Sequence, residues 1–388
     1  MSALPRILLV GHLVGPQLFG AERSLLDLAA AIDRRRFGLV CAFPARNEAY
    51  LQQAARHAEE VCVFPYRWWS EASPVDEAAV ARFSALYESR GIALVHVNTI
   101  TLLEPLVAAR RLGLPAILHA RELVDRDPVL ARRLGGDPAA IVRRITDAAD
   151  FVIANSDATH RLFRKPGRSF RLYNSVDLAR FDLPAATVPG RLRVGLLSNN
   201  QAKKGIEDFA ALAALAAAAC PALEFLVFGP PTAPAQALDA AARERGQDNI
   251  RFMGYVDDPV AAIGQVDVVM SLSHVAESFG RTIGEAMAAR RPVIAYGDGA
   301  TPELVRHGRT GFLLPYLDYA AALPLLAALA ADRERLAALG QAARERACAM
   351  LGQDRFAREL DAIYQAVIAA SPPPGSPAAG WPEGTVAP

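Results

Sequence analysis

The chain has 388 residues, room at roughly 100–200 residues per domain for two domains that each bury a core. Its 42 Lys+Arg against 41 Asp+Glu give a formal net charge of +1, which excludes nucleic-acid binding through overall positive charge. With 52% hydrophobic and 21% charged residues, disorder, collagen and coiled coil are excluded for the whole chain, and Cys41, Cys62, Cys220 and Cys348 form neither a zinc clip nor a disulfide framework. In chain order, Ile7–Val10 after Arg6 is too brief for a secretory-signal core and is read as a first strand. Further strands are expected at 38–43, 60–64, 93–97, 115–119 and 150–154, then at 192–197, 223–228, 249–252, 266–271, 292–296 and 311–314. Ala/Leu/Arg-rich helical patterns separate them, the alternation of parallel sheets covered by helices on both faces.

About twelve strands exceed the usual size of one open sheet, so two sheets in two domains are expected. Val176-Asp177, Pro184 and Pro189-Gly190 place the break, giving one domain over 1–178 and a second over 179–352. The helical stretch 353–370 follows, and Ser371-Pro372-Pro373-Pro374-Gly375 opens a Pro/Gly/Ala-rich tail, 371–388, expected to be disordered. No stretch reaches the roughly 20 apolar residues that span a bilayer, which suggests a cytoplasmic protein, peripheral at most to the inner face of a membrane.

Charge divides unevenly: 23 Lys+Arg less 18 Asp+Glu give +5 through residue 175, and the remaining 19 less 23 give −4. Arg110-Arg111, Arg132-Arg133 and Arg143-Arg144 would supply a basic face toward an anionic acceptor or membrane, with ordinary surface variation as the alternative. Tyr66-Arg67-Trp68-Trp69 is either an acceptor platform or packing under a loop.

The strongest local feature is Glu277-Ser278-Phe279-Gly280-Arg281-Thr282-Ile283-Gly284-Glu285, between a buried-strand pattern and a helix. Free N–H groups and the positive dipole end at that helix start make an anion site, and Gly280 permits close approach of a phosphate. Glu285 can accept hydrogen bonds from two hydroxyls of a ribose, and Glu277 lies where a sugar would sit. Two glutamates eight apart are common, so the motif alone also fits a helix-terminal charge and a solvated face. Lys204 before Gly205 can approach a phosphate as a compact charge, with Lys203 as the neighbouring choice. His119 ends an apolar strand, the side of an α/β sheet on which ligands bind.

Taken together these stretches resemble the retaining GT-B glycosyltransferases of family 4 and their E-x7-E signature. The likeness also takes in Gly20-Ala21-Glu22-Arg23, Asn155-Ser156, Tyr173 to Asp177, Val227-Phe228-Gly229, Phe252 to Val256, Pro292 to Ala295, Pro302 to Val305 and Thr310 to Leu313, in family order. It implies an α/β GT-B fold, two Rossmann-like domains facing across a cleft, 1–178 on the acceptor side and 179–352 binding the nucleotide sugar, with 353–370 crossing back to the first domain. The implied catalytic residues are Glu277, His119 and Lys204. Gly20, Lys204, Gly254, Tyr255, Val256, Ser278, Phe279, Gly280, Arg281, Thr282 and Glu285 would hold the donor. Family members often carry Arg after the glycine of the strand preceding the lysine, whereas Leu196 follows Gly195 here and the loop Ser198–Ala202 is uncharged.

The implied activity is retaining transfer of a sugar from a nucleoside-diphosphate sugar to a glycan or lipid-linked acceptor hydroxyl, in bacterial polysaccharide or glycolipid synthesis, with no cofactor and no metal. The alternatives are a nucleotide-sugar epimerase of the same fold and a non-catalytic binding subunit. Asp125-Arg126-Asp127 spells the metal-binding D-x-D of another transferase architecture but ends no apolar strand, and is read as a solvated loop. The first glycine loop lacks the G-x-G-x-x-G of NAD enzymes, and no Gly-x-Ser-x-Gly elbow occurs.

Overall fold

The computed structural model describes residues 4–12, 14–15, 17–185 and 190–371; of the expected tail, 372–388 lies outside the described residues. The chain divides into two compact units, one made of residues up to Ser175 together with those from Asp354 onward, the other of Val176–Gln353.

The first unit is a seven-stranded parallel sheet of β1 (Arg6–Val10), β2 (Gly38–Phe43), β3 (Glu60–Val63), β4 (Ile92–Val97), β5 (Ala116–Ala120), β6 (Phe151–Ala154) and β7 (Ser169–Arg171). The order is β3-β2-β1-β4-β5-β6-β7. Alternating side chains feed two cores: Leu8 and Val10 pack into one, Ile7 and Leu9 into the other. A strand covered on both faces must be apolar at successive positions, and the run Ile7-Leu8-Leu9-Val10 meets that demand. Helix Gln353–Ala370 closes the second core with Phe356, Leu360, Ile363, Tyr364 and Val367, spaced three and four apart on one stripe. Strand β7 was not expected from sequence, because three residues with one apolar side chain carry no readable periodicity.

The second unit is a six-stranded parallel sheet of β8 (Leu192–Leu197), β9 (Leu223–Phe228), β10 (Ile250–Gly254), β11 (Val268–Ser271), β12 (Val293–Tyr296) and β13 (Gly311–Leu314). Its order is β10-β9-β8-β11-β12-β13. Both sheets therefore reverse direction beside their first strand, between β1 and β4 and between β8 and β11. Such a reversal opens a crevice at the carboxyl ends of the strands, the place where doubly wound sheets bind ligands.

Candidate functional site

At the reversal of the second sheet, the chain leaves β8 through a polar loop, makes a single 3-10 turn over Ala202–Lys204 and enters helix Ile206–Ala219. Gly205 joins them at φ +72°, and a Cβ there would lie 2.0 Å from the carbonyl oxygen of Leu272. Only glycine lets the lysine turn seat this closely on the end of β11. The seat is fastened by the His274 N–H, which donates to the Lys203 carbonyl at 2.8 Å, and by Ser273 Oγ at 3.3 Å from the same oxygen. Lys204 Nζ then lies 2.5 Å from Glu277 Oε1, two residues 73 positions apart brought into an ion pair. The Glu277 carbonyl accepts the Ala300 N–H at 2.8 Å, which ties the carboxylate's backbone to the loop after β12.

Gly280, at φ +82°, turns the chain into helix Arg281–Ala288. Glu285 is buried within that helix, and its Oε1 accepts a 2.8 Å hydrogen bond from Arg281 Nε one turn earlier. Phe279 is buried, while Ser278, Arg281 and Thr282 are half-buried. Gly254 ends β10 with its carbonyl accepting the Gly229 N–H at 2.9 Å, and Tyr255 and Val256 follow it, half-buried.

Position 196 falls inside the strand expected over 192–197. Leu196 lies within β8, 1% exposed in the hydrophobic core, and the strand runs on to Leu197. The first residue beyond the strand is Ser198, whose hydroxyl donates to Asn200 Oδ1 at 3.0 Å.

Sequence reasoning missed a brace around the lysine turn. Asp208 Oδ2 accepts the Tyr296 hydroxyl at 2.5 Å and lies 2.8 Å from His274 Nε2. It joins helix Ile206–Ala219 to the loop before Glu277 and to β12. The residues are scattered in sequence and match no spacing pattern.

The carboxyl end of the first sheet is built from neutral side chains around one arginine. Arg121, just past β5, donates from Nε to Asn98 Oδ1 (2.8 Å) and from Nη1 to Asn174 Oδ1 (2.6 Å), and its Nη2 is 3.3 Å from His119 Nδ1. His119 Nδ1 also lies 3.1 Å from His96 Nε2, and His96 Nδ1 lies 2.8 Å from the Tyr364 hydroxyl. Both imidazoles are wholly buried. Burial first, and the Arg121 charge second, push His96 down to about 3 and His119 well below the ordinary histidine range, so both rings are neutral at physiological pH. His119 Nε2 and Asn98 Nδ2 find no hydrogen-bond partner among the described residues. A buried polar group in that state costs about 1–3 kcal/mol unless a water or a ligand meets it. Glu122 accepts from Thr99 Oγ1 (2.6 Å) and from the Arg121 N–H (3.0 Å), and burial pushes its carboxyl up.

Gly20 begins helix Gly20–Ala31, where Glu22 accepts the Phe19 N–H at 3.1 Å and lies 3.4 Å from His12 Nε2. Burial alone would raise Glu22, but these bonds outweigh it and leave the carboxyl lowered. Asp127 is a correction to the solvated-loop expectation: it is buried and caps helix Pro128–Leu134, accepting the N–H groups of Val129 and Leu130 at 3.1 Å. Tyr66 and Trp69 are buried too, with Trp69 Nε1 donating to the Ile100 carbonyl at 2.8 Å, so these two aromatics are packing rather than a platform. Among the described residues no helix is long and apolar enough to cross a membrane.

Comparison with known proteins assigns the family. The Glycosyltransferase Family 4 profile matches residues 20–180, and that of Glycosyl transferases group 1 matches residues 191–332. The D-inositol 3-phosphate glycosyltransferase 2 of Catenulispora acidiphila is 31% identical over 294 residues, 68% of this chain and 67% of that protein. The chain belongs to the group 1, family 4 glycosyltransferases. Other members match over less: the N-acetyl-alpha-D-glucosaminyl L-malate synthase of Bacillus anthracis is 30% identical over 122 residues, and the chain spans only 32% of its length. Among solved structures, Anabaena HepE in complex with UDP and glucose superposes with a TM-score of 0.76 at 21% identity, covering 93% of this chain and 99% of that one. This family member thus has the two-domain α/β fold of GT-B proteins, and the Lys204–Glu277 pair and helix Arg281–Ala288 fall within the group 1 match.

Proposed function

We propose that this family member transfers a sugar from a nucleoside-diphosphate sugar to an acceptor hydroxyl with retention of anomeric configuration. The observation that carries the proposal is the Lys204–Glu277 ion pair at the carboxyl end of the second sheet. With 28% and 21% of their side chains exposed, the two groups stay reachable by a ligand. A donor diphosphate would take over the ammonium, and the carboxylate so released would face the hydroxyls of the sugar. N–H groups at the start of helix Arg281–Ala288 would meet the remaining phosphate charge, and Glu285 would hold the ribose.

In the step itself, the bond from the sugar's anomeric carbon to the diphosphate oxygen breaks and a bond to the acceptor oxygen forms on the same face. The acceptor proton passes to an oxygen of the departing diphosphate, so no protein nucleophile is required. Lys204 and the helix N-terminus stabilise charge as it grows on the leaving group, the type of electrostatic assistance that works without a metal. Glu277 orients the sugar and stabilises the positive charge developing on its ring. His119, neutral at physiological pH, acts as a hydrogen-bond donor rather than as an acid or base. The acceptor is a hydroxyl of a glycan, lipid-linked sugar or cyclitol, a class supported by the inositol phosphate in the name of the Catenulispora relative.

The test is a thermal-shift screen of UDP-, GDP-, ADP- and dTDP-sugars, followed by NMR of the product made from the best donor, with and without EDTA. The expected result is a stabilising donor and a product of unchanged anomeric configuration at undiminished rate in EDTA. An inverted product would remove the proposed mechanism, and an epimerised nucleotide sugar with no acceptor product would replace transfer with epimerisation.

A further inference from the structure

The hydrogen bonds around His119 can be solved for their protons. Arg121 can only donate, so His119 Nδ1, 3.3 Å from Arg121 Nη2, is an acceptor. The same Nδ1 lies 3.1 Å from His96 Nε2, which must therefore carry the hydrogen on His96. A neutral His96 protonated at Nε2 has a bare Nδ1, and that atom accepts the Tyr364 hydroxyl at 2.8 Å. One direction of donation satisfies all three contacts: Tyr364 to His96, His96 to His119. It leaves the His119 hydrogen on Nε2, the buried atom for which the described residues offer no acceptor.

The fold explains why these three side chains meet. His96 pairs in register with Ile117 on the neighbouring strand, and His119 lies two residues further along β5, so both rings project from the same face of the sheet. That face is covered by helix Gln353–Ala370, on whose apolar stripe Tyr364 stands. The Arg355 guanidinium donates to the Tyr173 carbonyl at 2.9 Å, and Arg36 meets Asp361 at 2.7 Å, fixing the rotation of the helix. A phenylalanine would fill the Tyr364 position as well for packing, but only the hydroxyl supplies the first donor of the chain.

We propose that Tyr364 and His96, acting with Arg121, are positioning residues that hold His119 in its Nε2–H tautomer, making the buried N–H a hydrogen-bond donor to an oxygen of the bound sugar. The role toward sugar rests on the transferase function proposed above; the locking of the tautomer does not. Both rings are held neutral by burial, so the chain of donors orients a hydrogen and does not relay a proton.

The experiment is a two-bond proton–nitrogen NMR spectrum of the full chain labelled at histidine, with His119 assigned from a His119→Gln variant. The wild type should show His119 protonated at Nε2 and bare at Nδ1 at neutral pH. His96→Gln, whose amide keeps a donor facing His119, should preserve that pattern and most of the transfer rate. His96→Leu leaves Arg121 as the one donor to His119 Nδ1, so the Nε2–H form should persist with a displaced Nδ1 resonance, and kcat/KM should fall about tenfold, the worth of one hydrogen bond, at unchanged affinity for the free nucleotide. Wild-type His119 protonated at Nδ1, or on both nitrogens, overturns the proposal without any variant having to fold. So does a folded His96→Leu protein with the wild-type Nδ1 resonance and rate. A wild type that transfers no sugar but shows the expected tautomer, with the Nδ1 resonance displaced in His96→Leu, would uphold the positioning and refute the transferase function.

Discussion

The two units share one strand order, yet their carboxyl ends are chemically opposite. In the second, Lys204 meets Glu277 and Arg281 meets Glu285, ions paired with ions. In the first, His119, His96, Tyr364, Asn98 and Asn174 form a neutral cluster around Arg121, with buried N–H groups left unpartnered. An exchangeable ion pair suits a charged ligand, because a phosphate can replace the carboxylate without leaving the ammonium bare. Buried neutral donors suit hydroxyls, which ask for direction rather than charge. In the proposed function the second sheet would bind the anion and the first would recognise hydroxyls, and the contrast can be broken at specific side chains.

The largest effect is expected at the ion pair. Glu277→Gln keeps the shape but loses the charge that holds Lys204 and that, in the proposed function, would face the reacting sugar. Transfer should fall by about 10²–10³ in kcat, the range for removing one electrostatic contact to a developing charge. Initial rates with saturating donor, together with a melting curve showing a folded variant, decide it; wild-type turnover would assign the charge contrast to structure alone.

Next comes the backbone that presents Lys204. Gly205→Ala forces both a left-handed φ on a substituted residue and a Cβ within 2.0 Å of a carbonyl oxygen, so it should cost about 3 kcal/mol or more. In the first unit, Gly91 has a similar φ of +59° but nothing within 4 Å of its absent Cβ, and Gly91→Ala should cost only about 1 kcal/mol. Urea unfolding of both variants measures the difference; equal losses would show that the lysine turn has room to relax.

The neutral cluster should reveal itself through pH. Because His96 is lowered to about 3 in the folded protein, between pH 6.5 and 3 the unfolded chain binds a proton that the native state refuses. The contribution is therefore complete above pH 6.5 and lost as pH falls, by about 1.4 kcal/mol per unit once well below 6.5. His119, lowered for the same reasons, adds to that slope. Unfolding free energies at pH 6, 5 and 4 should drop less steeply in His96→Gln than in wild type, and parallel slopes would show that His96 is protonated in the native state.

Much of this contrast was legible in the sequence, but unequally. Twelve expected strand segments appear as strands because each is a short apolar run bounded by turns, while β7 is too short to carry a pattern. The paired charges of the second unit stood out as a motif between a strand and a helix. His96 did not, since one histidine inside Ile92–Val97 looks like any polar interruption, and Tyr364 occupies an apolar helix position where its hydroxyl is invisible to periodicity. β8 ends at Leu197, as the expected strand 192–197 does, and Leu196 within it is buried.

The smallest effect tests what remains of the aromatic platform. Trp68 is half-buried under the Arg133 guanidinium, 4.1 Å from its ring, and Arg144 stands 5.3 Å from the ring of Trp69. If these arginines cover aromatics from solvent, Arg133→Ala should cost about 0.5–1 kcal/mol of stability and leave the acceptor KM unchanged. If Trp68 instead stacks on an acceptor sugar, removing its cover should alter the acceptor KM with little change in stability. Melting curves and acceptor titrations on this one variant separate the two. A shifted KM would extend hydroxyl recognition from the neutral cluster to the Trp68 ring, whereas a shifted melting temperature alone would confine Trp68 to packing, as already holds for Trp69.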